Sequence, residues 1–193
     1  MSTAQPTLDD VWRLFQETDR KFQDTDRKFQ DTERLLKEQS QETDRKIKKM
    51  SLTIDKLDHR LGDYIEDAVR PAAVRLFRDR GIEVHEVHQN VTAQREGEEI
   101  EVDLLVVNDT DVIAIECKSL LSMDDVNEHR QRLDKLKRLL PKYAGSRVLG
   151  AVTAMVIPDN VAHYAYRQGF FVIGQSGEQL IIRNDDRFRP KEW

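Results

Sequence analysis

The chain has 193 residues and a formal net charge of -5, with 35% charged and 38% hydrophobic residues. That acidic balance argues against a general electrostatic nucleic-acid binder, which would be basic overall, while leaving room for a local basic groove. A single cysteine, Cys117, excludes a disulfide framework and a cysteine-built zinc site within one chain.

The N-terminus, MSTAQPTLDD, is polar and acidic and shows no signal-peptide pattern. No apolar run approaches the ~20 residues of a membrane span. The expectation is a soluble cytoplasmic protein with no membrane partner. Up to about residue 59 the chain is mostly Asp, Glu, Lys, Arg, Gln and Thr around a sparse apolar repeat. Apolar runs such as VDLLVV and VLGAVTAMVI follow, and only this second part, ~130 residues long, can bury a sizeable core.

Three heptads stand in tandem: ETDRKFQ (17–23), DTDRKFQ (24–30) and DTERLLK (31–37). Four extra residues, EQSQ (38–41), precede a resumed ETDRKIK (42–48). The seam runs Val11, Phe15, Thr18, Phe22, Thr25, Phe29, Thr32, Leu36 in steps of four and three, the spacing of a coiled coil. With Phe at a and Thr at d, Lys21 and Lys28 fall at g, and Asp26 and Glu33 at the following e positions. Such pairs favour a parallel partner helix. Glu17–Lys21 and Asp24–Lys28 are expected as i,i+4 pairs within one helix. The insertion reads as a stutter, after which the seam continues Thr43, Ile47, Met50, Ile54, Leu57, Leu61. A stripe this narrow is weak alone in water, so residues 8–61 are predicted to form a coiled-coil helix that homo-oligomerises.

Residues 62–193 form the second predicted domain. A helix over 61–81 presents Ile65, Val69, Ala72, Leu76 and Phe77 on one face, with Gly81 as its stop and Pro71 expected to kink or restart it. A strand over 82–94, irregular in its alternation, leads through a turn at 95–99 to a strand at 100–107. A tight turn, NDTD (108–111), then leads to a strand at 112–118. A helix over 122–141 has Ser122 as N-cap, Asp125 three residues on, and a buried stripe of Val126, Leu133, Leu136 and Leu140. A strand (147–157), a short helix (158–169) and two strands (FFVIG and EQLIIR) complete the order. Short links make the first three strands an antiparallel meander, and the fourth, reached through a helix, runs parallel to a neighbour. The fold class is therefore α/β: a mixed central sheet flanked by helices, preceded by the long N-terminal coiled-coil helix.

The sheet carries charges where it should be dry. Asp103 lies within VDLLVV, and Glu116 and Lys118 end the run VIAIECK. Residues i and i+2 of a strand share a face, so Glu116 and Lys118 project together while Ile115 and Cys117 point the other way. A hairpin at NDTD brings Asp103 near Glu116 or Lys118. Buried charge is costly unless compensated. An isolated E-x-K is most often a strand-end salt bridge. Two carboxylates beside a lysine also suit Mg²⁺, which uses one or two protein carboxylates and keeps other positions for water and phosphate. That arrangement suits phosphodiester hydrolysis, with the lysine orienting or deprotonating water or adding positive charge.

Asp103 followed by ECK (116–118), in the order helix, three strands, helix, strand, resembles the PD-(D/E)XK nuclease superfamily, the restriction-endonuclease-like fold. The stretches LGDYIEDAVRPAAVRLF, VDLLVVNDTDVIAIECKS, GFFVIG and NDDRFRPKEW resemble an uncharacterised bacterial family, frequent in cyanobacteria, that joins a coiled coil to this fold. The resemblance implies Asp103 and Glu116 as ligands of Mg²⁺ or Mn²⁺, Lys118 working on the water, and Glu66 in YIEDAV as a further metal ligand. The proline of the motif is replaced by Val102. A nuclease acting on DNA is the implied activity. A catalytically silent nuclease-fold scaffold or binding module is the alternative.

Other residues are weaker candidates. His85 and His88, three apart in a strand, point to opposite faces and do not suggest a metal pair. Cys117 is expected in the core. His129, Arg130, Arg132, Lys135, Lys137 and Arg138 make the polar face of the 122–141 helix basic, as a solvated face or a phosphate-contact surface. Glu99 and Glu101 share the alternation of Asp103 and either fray into solvent or add charge to the site.

Overall fold

The structure, a computed structural model, describes residues 7–193, and of residues 55, 58 and 59 the backbone alone. Most of the N-terminal stretch read for a signal peptide lies outside them. The chain divides into two units, Met1–Asp55 and Lys56–Trp193. Helix α1 (Leu8–Arg78) supplies the described part of the first and enters the second. No helix among the described residues is long and apolar enough to cross a membrane.

In the first unit the helix begins on a reciprocal cap. The Thr7 hydroxyl accepts from the Asp10 N–H (3.3 Å), and Asp10 accepts from the Thr7 N–H (3.1 Å). Glu17–Lys21 (2.9 Å) and Glu42–Lys46 (2.8 Å) are formed as i,i+4 pairs. The expected Asp24–Lys28 pair is absent among the described ion pairs, because an aspartate is one methylene short of the reach that glutamate has. The seam side chains are bare in the single chain: Phe15, Phe22 and Phe29 are each more than 70% exposed. Seam threonines Thr18, Thr25, Thr32 and Thr43 donate to the carbonyls four residues earlier at 2.7–2.8 Å. Their hydroxyls are thus satisfied within the helix.

In the second unit α1 runs through Pro71 without restarting. Pro71 is exposed, as is Asp67, whose carbonyl loses its partner there, so water can take it. The helix stops at Gly81 (φ 76), with the Gly81 N–H on Arg78 O (2.8 Å) and the Ile82 N–H on Phe77 O (3.0 Å), a Schellman end. The strands are β1 (Glu86–Arg95), β2 (Glu98–Val107), β3 (Asp111–Leu120), β4 (Arg147–Val156), β5 (Phe171–Ser176) and β6 (Gln179–Ile182). Helix α2 (Met123–Leu139) follows β3, and α3 (Asp159–Arg167) follows β4. The order expected from the sequence is the order found, with a short 3₁₀ turn (Pro141–Tyr143) added after α2. The strand expected from residue 82 begins at Glu86, and the β1–β2 turn narrows to Glu96 and Gly97, both at positive φ.

The six strands lie in sequence order. β1–β2–β3 is an antiparallel meander, β3–β4 and β4–β5 are parallel, and β5–β6 is antiparallel. One face packs on α1 through Ile65, Val69, Ala73, Leu76 and Phe77. The other packs on α2 and α3 through Val126, Leu133, Leu136, Val161 and Ala165. Ser122 and Asp125 form the capping box of α2 (2.8 and 3.1 Å).

One irregularity shapes the site. Leu104 and Val106 of β2 and Val87 of β1 face the α1 core, whereas Ile100, Val102, Val91 and Ala93 face the α2 core. Alternation alone would put Val102 and Leu104 on one face. Both strands therefore change face at the same level. The interruption lies where Asn90 (φ 49) opposes Asp103, the pair missing from the β1–β2 ladder between Gln89↔Leu104 and Val91↔Val102. Asn is among the few residues that tolerate the left-handed region.

Candidate functional site

The β2–β3 ladder ends at Leu104↔Ile115, while β3 stays paired with β4 as far as Leu120↔Val156. The far half of the β1–β2 hairpin thus parts from β3, and a cleft of ≈ 710 Å³ opens between them. Its walls come from α1 (Gly62, Asp63, Glu66), the hairpin (Asn90, Thr92, Glu99, Glu101, Asp103), β3 (Glu116, Cys117, Lys118) and α2 (Arg132). All four residues nominated from the sequence, Glu66, Asp103, Glu116 and Lys118, line this one cleft.

Asp103 sits at the face switch, where the backbone ladder has ended. Its Oδ2 accepts the Cys117 N–H at 2.7 Å, in place of a strand carbonyl. Burial, then the Glu116 carboxylate, pushes its pKa up to about 6. Glu66 is buried, and its carboxylate has no hydrogen-bond or ion-pair partner among the described residues. Burial, then Asp103 and the acidic neighbours Asp63, Asp67 and Glu101, raise its pKa to about 7. Glu99 and Glu101, left open between solvent and site, both line the cleft.

Glu116 is 1% exposed and faces α2, as alternation with Ala114 requires. Its Oε1 lies 3.0 Å from Lys118 Nζ, an ion pair without an aligned hydrogen bond. Its Oε2 accepts from Arg132 Nη1. Burial opposes ionisation of Glu116, but His129, Arg132 and Lys118 outweigh it and lower the pKa. Of these, His129 cannot act at neutral pH, because burial drives its own pKa down to about 4. Arg132 and Lys118 are the cations that hold Glu116 ionised. The Glu116 ion pair outweighs burial at Lys118 and raises its pKa, so the amine stays protonated.

The sequence reading placed His129 and Arg132 on a basic polar face of α2, and the structure corrects this. His129 is 0% exposed, with Nε2 3.1 Å from the Ala114 carbonyl, which can only accept, so Nε2 carries the proton. Its Nδ1 has no hydrogen-bond partner among the described residues and lies 3.6 Å from Glu116 Oε2. The spacing 126, 129, 133, 136 already placed His129 on the buried stripe. Arg132, one residue before Leu133, follows at the border of that stripe. Much of the remaining basic face is engaged: Arg138 and Lys135 pair with Glu98, and Arg130 donates to Gln168. Cys117 is buried and its thiol is pushed up by burial, as a core residue should be. His85 lies outside β1, and both it and His88 approach Glu86 (3.9 and 3.1 Å).

The carboxylates fit a hard divalent cation of low protein coordination. Glu66 and Asp103 are disfavoured as anions by burial and by surrounding carboxylates, with no cation paired to Glu66 among the described residues. A preformed cage is not there: no three His, Cys, Asp or Glu side chains among the described residues converge at ligand spacing. Mg²⁺ takes one or two carboxylates and retains water, so a pair suffices.

A family model described as a protein of unknown function, DUF3782, matches residues 13–99. The match includes Glu66 but ends before Asp103. No curated protein matches. A crystal structure of a protein of unknown function, AF1548, is similar at 20% identity and a TM-score of 0.38, covering 55% of this chain and 56% of that one. A repair endonuclease from Pyrococcus abyssi is similar at 21% identity and a TM-score of 0.32, covering 52% of this chain and 43% of that one. The chain thus spans about half the length of these structures. Similarity at this level assigns neither fold family nor chemistry.

Proposed function

We propose that the second unit is a divalent-metal-dependent nuclease that hydrolyses phosphodiester bonds in DNA. Mg²⁺ or Mn²⁺ would be held by Asp103 and Glu116, with Glu66 as a further ligand that would have to close on the ion, since the three do not stand at ligand spacing among the described residues. The observation that supports this most is the gathering of three carboxylates and Lys118 in one cleft, with the Glu66 carboxylate left without a counter-ion among the described residues. A bound cation would supply Lewis-acid stabilisation of the charge that develops on phosphoryl oxygens. Lys118, paired with Glu116 and so held protonated without a bound cation, would orient the attacking water or place positive charge near the phosphate. Asp103, tied to the Cys117 N–H, presents its carboxylate from a fixed backbone position. The choice of DNA rests on the sequence resemblance to the PD-(D/E)XK superfamily.

We also propose that the N-terminal helix pairs with copies of itself, in parallel. Support comes from the exposed Phe15, Phe22 and Phe29 at the seam, the internally satisfied threonine hydroxyls between them, and opposite charges at g and e. Burying such a seam leaves no hydroxyl stranded. An oligomer would offer two or more sites to one duplex.

One observation favours a second reading. Glu116 already holds two cations, Lys118 and Arg132, which is what a silent scaffold with a structural ion-pair cluster would have. Calorimetric titration with Mn²⁺ separates the two. The nuclease reading expects binding that is lost in Glu116→Ala and weakened in Asp103→Ala. Absence of binding in the unaltered protein favours the scaffold.

A further inference from the structure

Arg132 has two carboxylate partners of opposite character. Nη1 donates to Glu116, buried in the cleft, and Nη2 lies 3.8 Å from Glu128, one turn earlier on α2 and 65% exposed. The Arg132 side chain is 26% exposed and lines the cleft. It therefore stands between the site and solvent, held at one end by the carboxylate that the nuclease reading gives to a metal.

Formal charge shows what this arrangement does. The three proposed ligands together with Asp63, Glu99 and Glu101, against Lys118 and Arg132, leave four net negative charges in the cleft when all are ionised. A divalent cation halves that excess but does not reverse it, so an anionic phosphodiester still needs a cation of the cleft wall beside it. Arg132 and Lys118 are the two cations that line the cleft among the described residues. Arginine suits a transfer between these partners, because its planar fork pairs with carboxylate and phosphate alike.

We infer that Arg132 is the internal counter-ion of Glu116 in the resting site and the phosphate-binding residue of the loaded one. It yields Glu116 to a divalent cation and turns to the substrate phosphate, with Glu128 as its partner in between. This rests on the nuclease reading of the same cleft. It makes Arg132 oppose metal binding in the absence of substrate and favour substrate binding once metal is present, two effects of opposite sign, the second depending on the planar fork as well as on the charge.

The test compares the full-length protein with Arg132→Met and Arg132→Lys at pH 8, where the carboxylates are ionised. Mn²⁺ affinity is read by calorimetry, and affinity for a short fluorescent DNA duplex in Ca²⁺ by anisotropy. Arg132→Met is expected to bind Mn²⁺ about tenfold more tightly or better, and the duplex about tenfold more weakly. Arg132→Lys, which keeps the charge, should stay near the unaltered protein in Mn²⁺ affinity. Weaker or unchanged Mn²⁺ binding in Arg132→Met overturns the inference and leaves the nuclease reading standing. So does tighter Mn²⁺ binding with undiminished duplex binding. Mn²⁺ binding that appears only in Arg132→Met supports the inference. No Mn²⁺ binding in any of the three overturns both. If Arg132→Met fails to fold, Glu128→Gln decides: Mn²⁺ affinity should fall a few-fold because the released guanidinium loses its partner, and an unchanged affinity overturns the inference.

Discussion

Replacing Glu66 by Gln should stabilise the protein above neutral pH, although it removes a buried side chain's charge. In the folded chain Glu66 holds its proton up to pH about 7, against an ordinary value of 4.5, because of burial and then Asp103 and nearby acids. The folded state thus binds more protons than the unfolded state between these values. Stability falls as pH rises through that window. Asp103, raised from 3.8 to about 6, adds a fall of the same sign at slightly lower pH. A shift of this size at Glu66 corresponds to ~3 kcal/mol if unscreened. The carboxylate borders an open cleft, and water there reduces the figure to about 1–2 kcal/mol. Glu66→Gln keeps the shape and removes the penalty, so at pH 8 its melting temperature should exceed that of the unaltered protein by about 3–8 °C. The measurement is thermal unfolding at pH 5 and pH 8 by near-ultraviolet circular dichroism, which reads packed rings such as Phe170 against Trp193. The unaltered protein should lose stability between the two pH values, and Glu66→Gln should lose less. A variant that is less stable at pH 8, or that shows the same pH slope, would refute the electrostatic account of this carboxylate.

Gly150→Ala tests the α2-side core. Its Cβ would meet Phe170 Cε1 at 2.5 Å and Leu133 Cδ1 at 2.6 Å. A cost of about 1–3 kcal/mol in urea unfolding is expected. If the N-terminal helices pair as proposed, light scattering should find an oligomer that the double change Phe22→Glu, Phe29→Glu converts to a monomer, with the near-ultraviolet spectrum of the second unit unchanged; a monomer in the unaltered protein would contradict the pairing. Cys117 should resist thiol reagents in the native protein and react fully on unfolding, since it is buried with its thiol pKa raised; rapid native labelling would contradict the packing of β3.

The element order was legible because hydrophobic period and punctuation agree along this chain. Gly81 ends a helix through a Schellman turn, Ser122 and Asp125 begin one, and the NDTD turn sets the β2–β3 pairing. Glu116 and Lys118 were legible as a same-face pair from strand alternation alone, and they meet at 3.0 Å. The face switch at Asn90 and Asp103 was visible only as a broken alternation in 82–94. Nothing in one sequence says that two strands break at the same level, because that depends on register. Arg132 escaped for another reason. A charged residue at the border of a helical stripe reads as solvated, and its pairing with Glu116 depends on how α2 lies across β3. The helix does not restart at Pro71, one of the two outcomes expected there, because the carbonyl that the proline orphans, that of exposed Asp67, is open to water.

The most direct test of the central claim is cleavage of plasmid and single-stranded DNA by the full-length protein in Mg²⁺ or Mn²⁺, beside Asp103→Ala and Lys118→Ala. The account predicts nicking or linearisation that requires the cation and falls by at least about a hundredfold in each variant. Equal cleavage by all three proteins, or none by any of them, would contradict it.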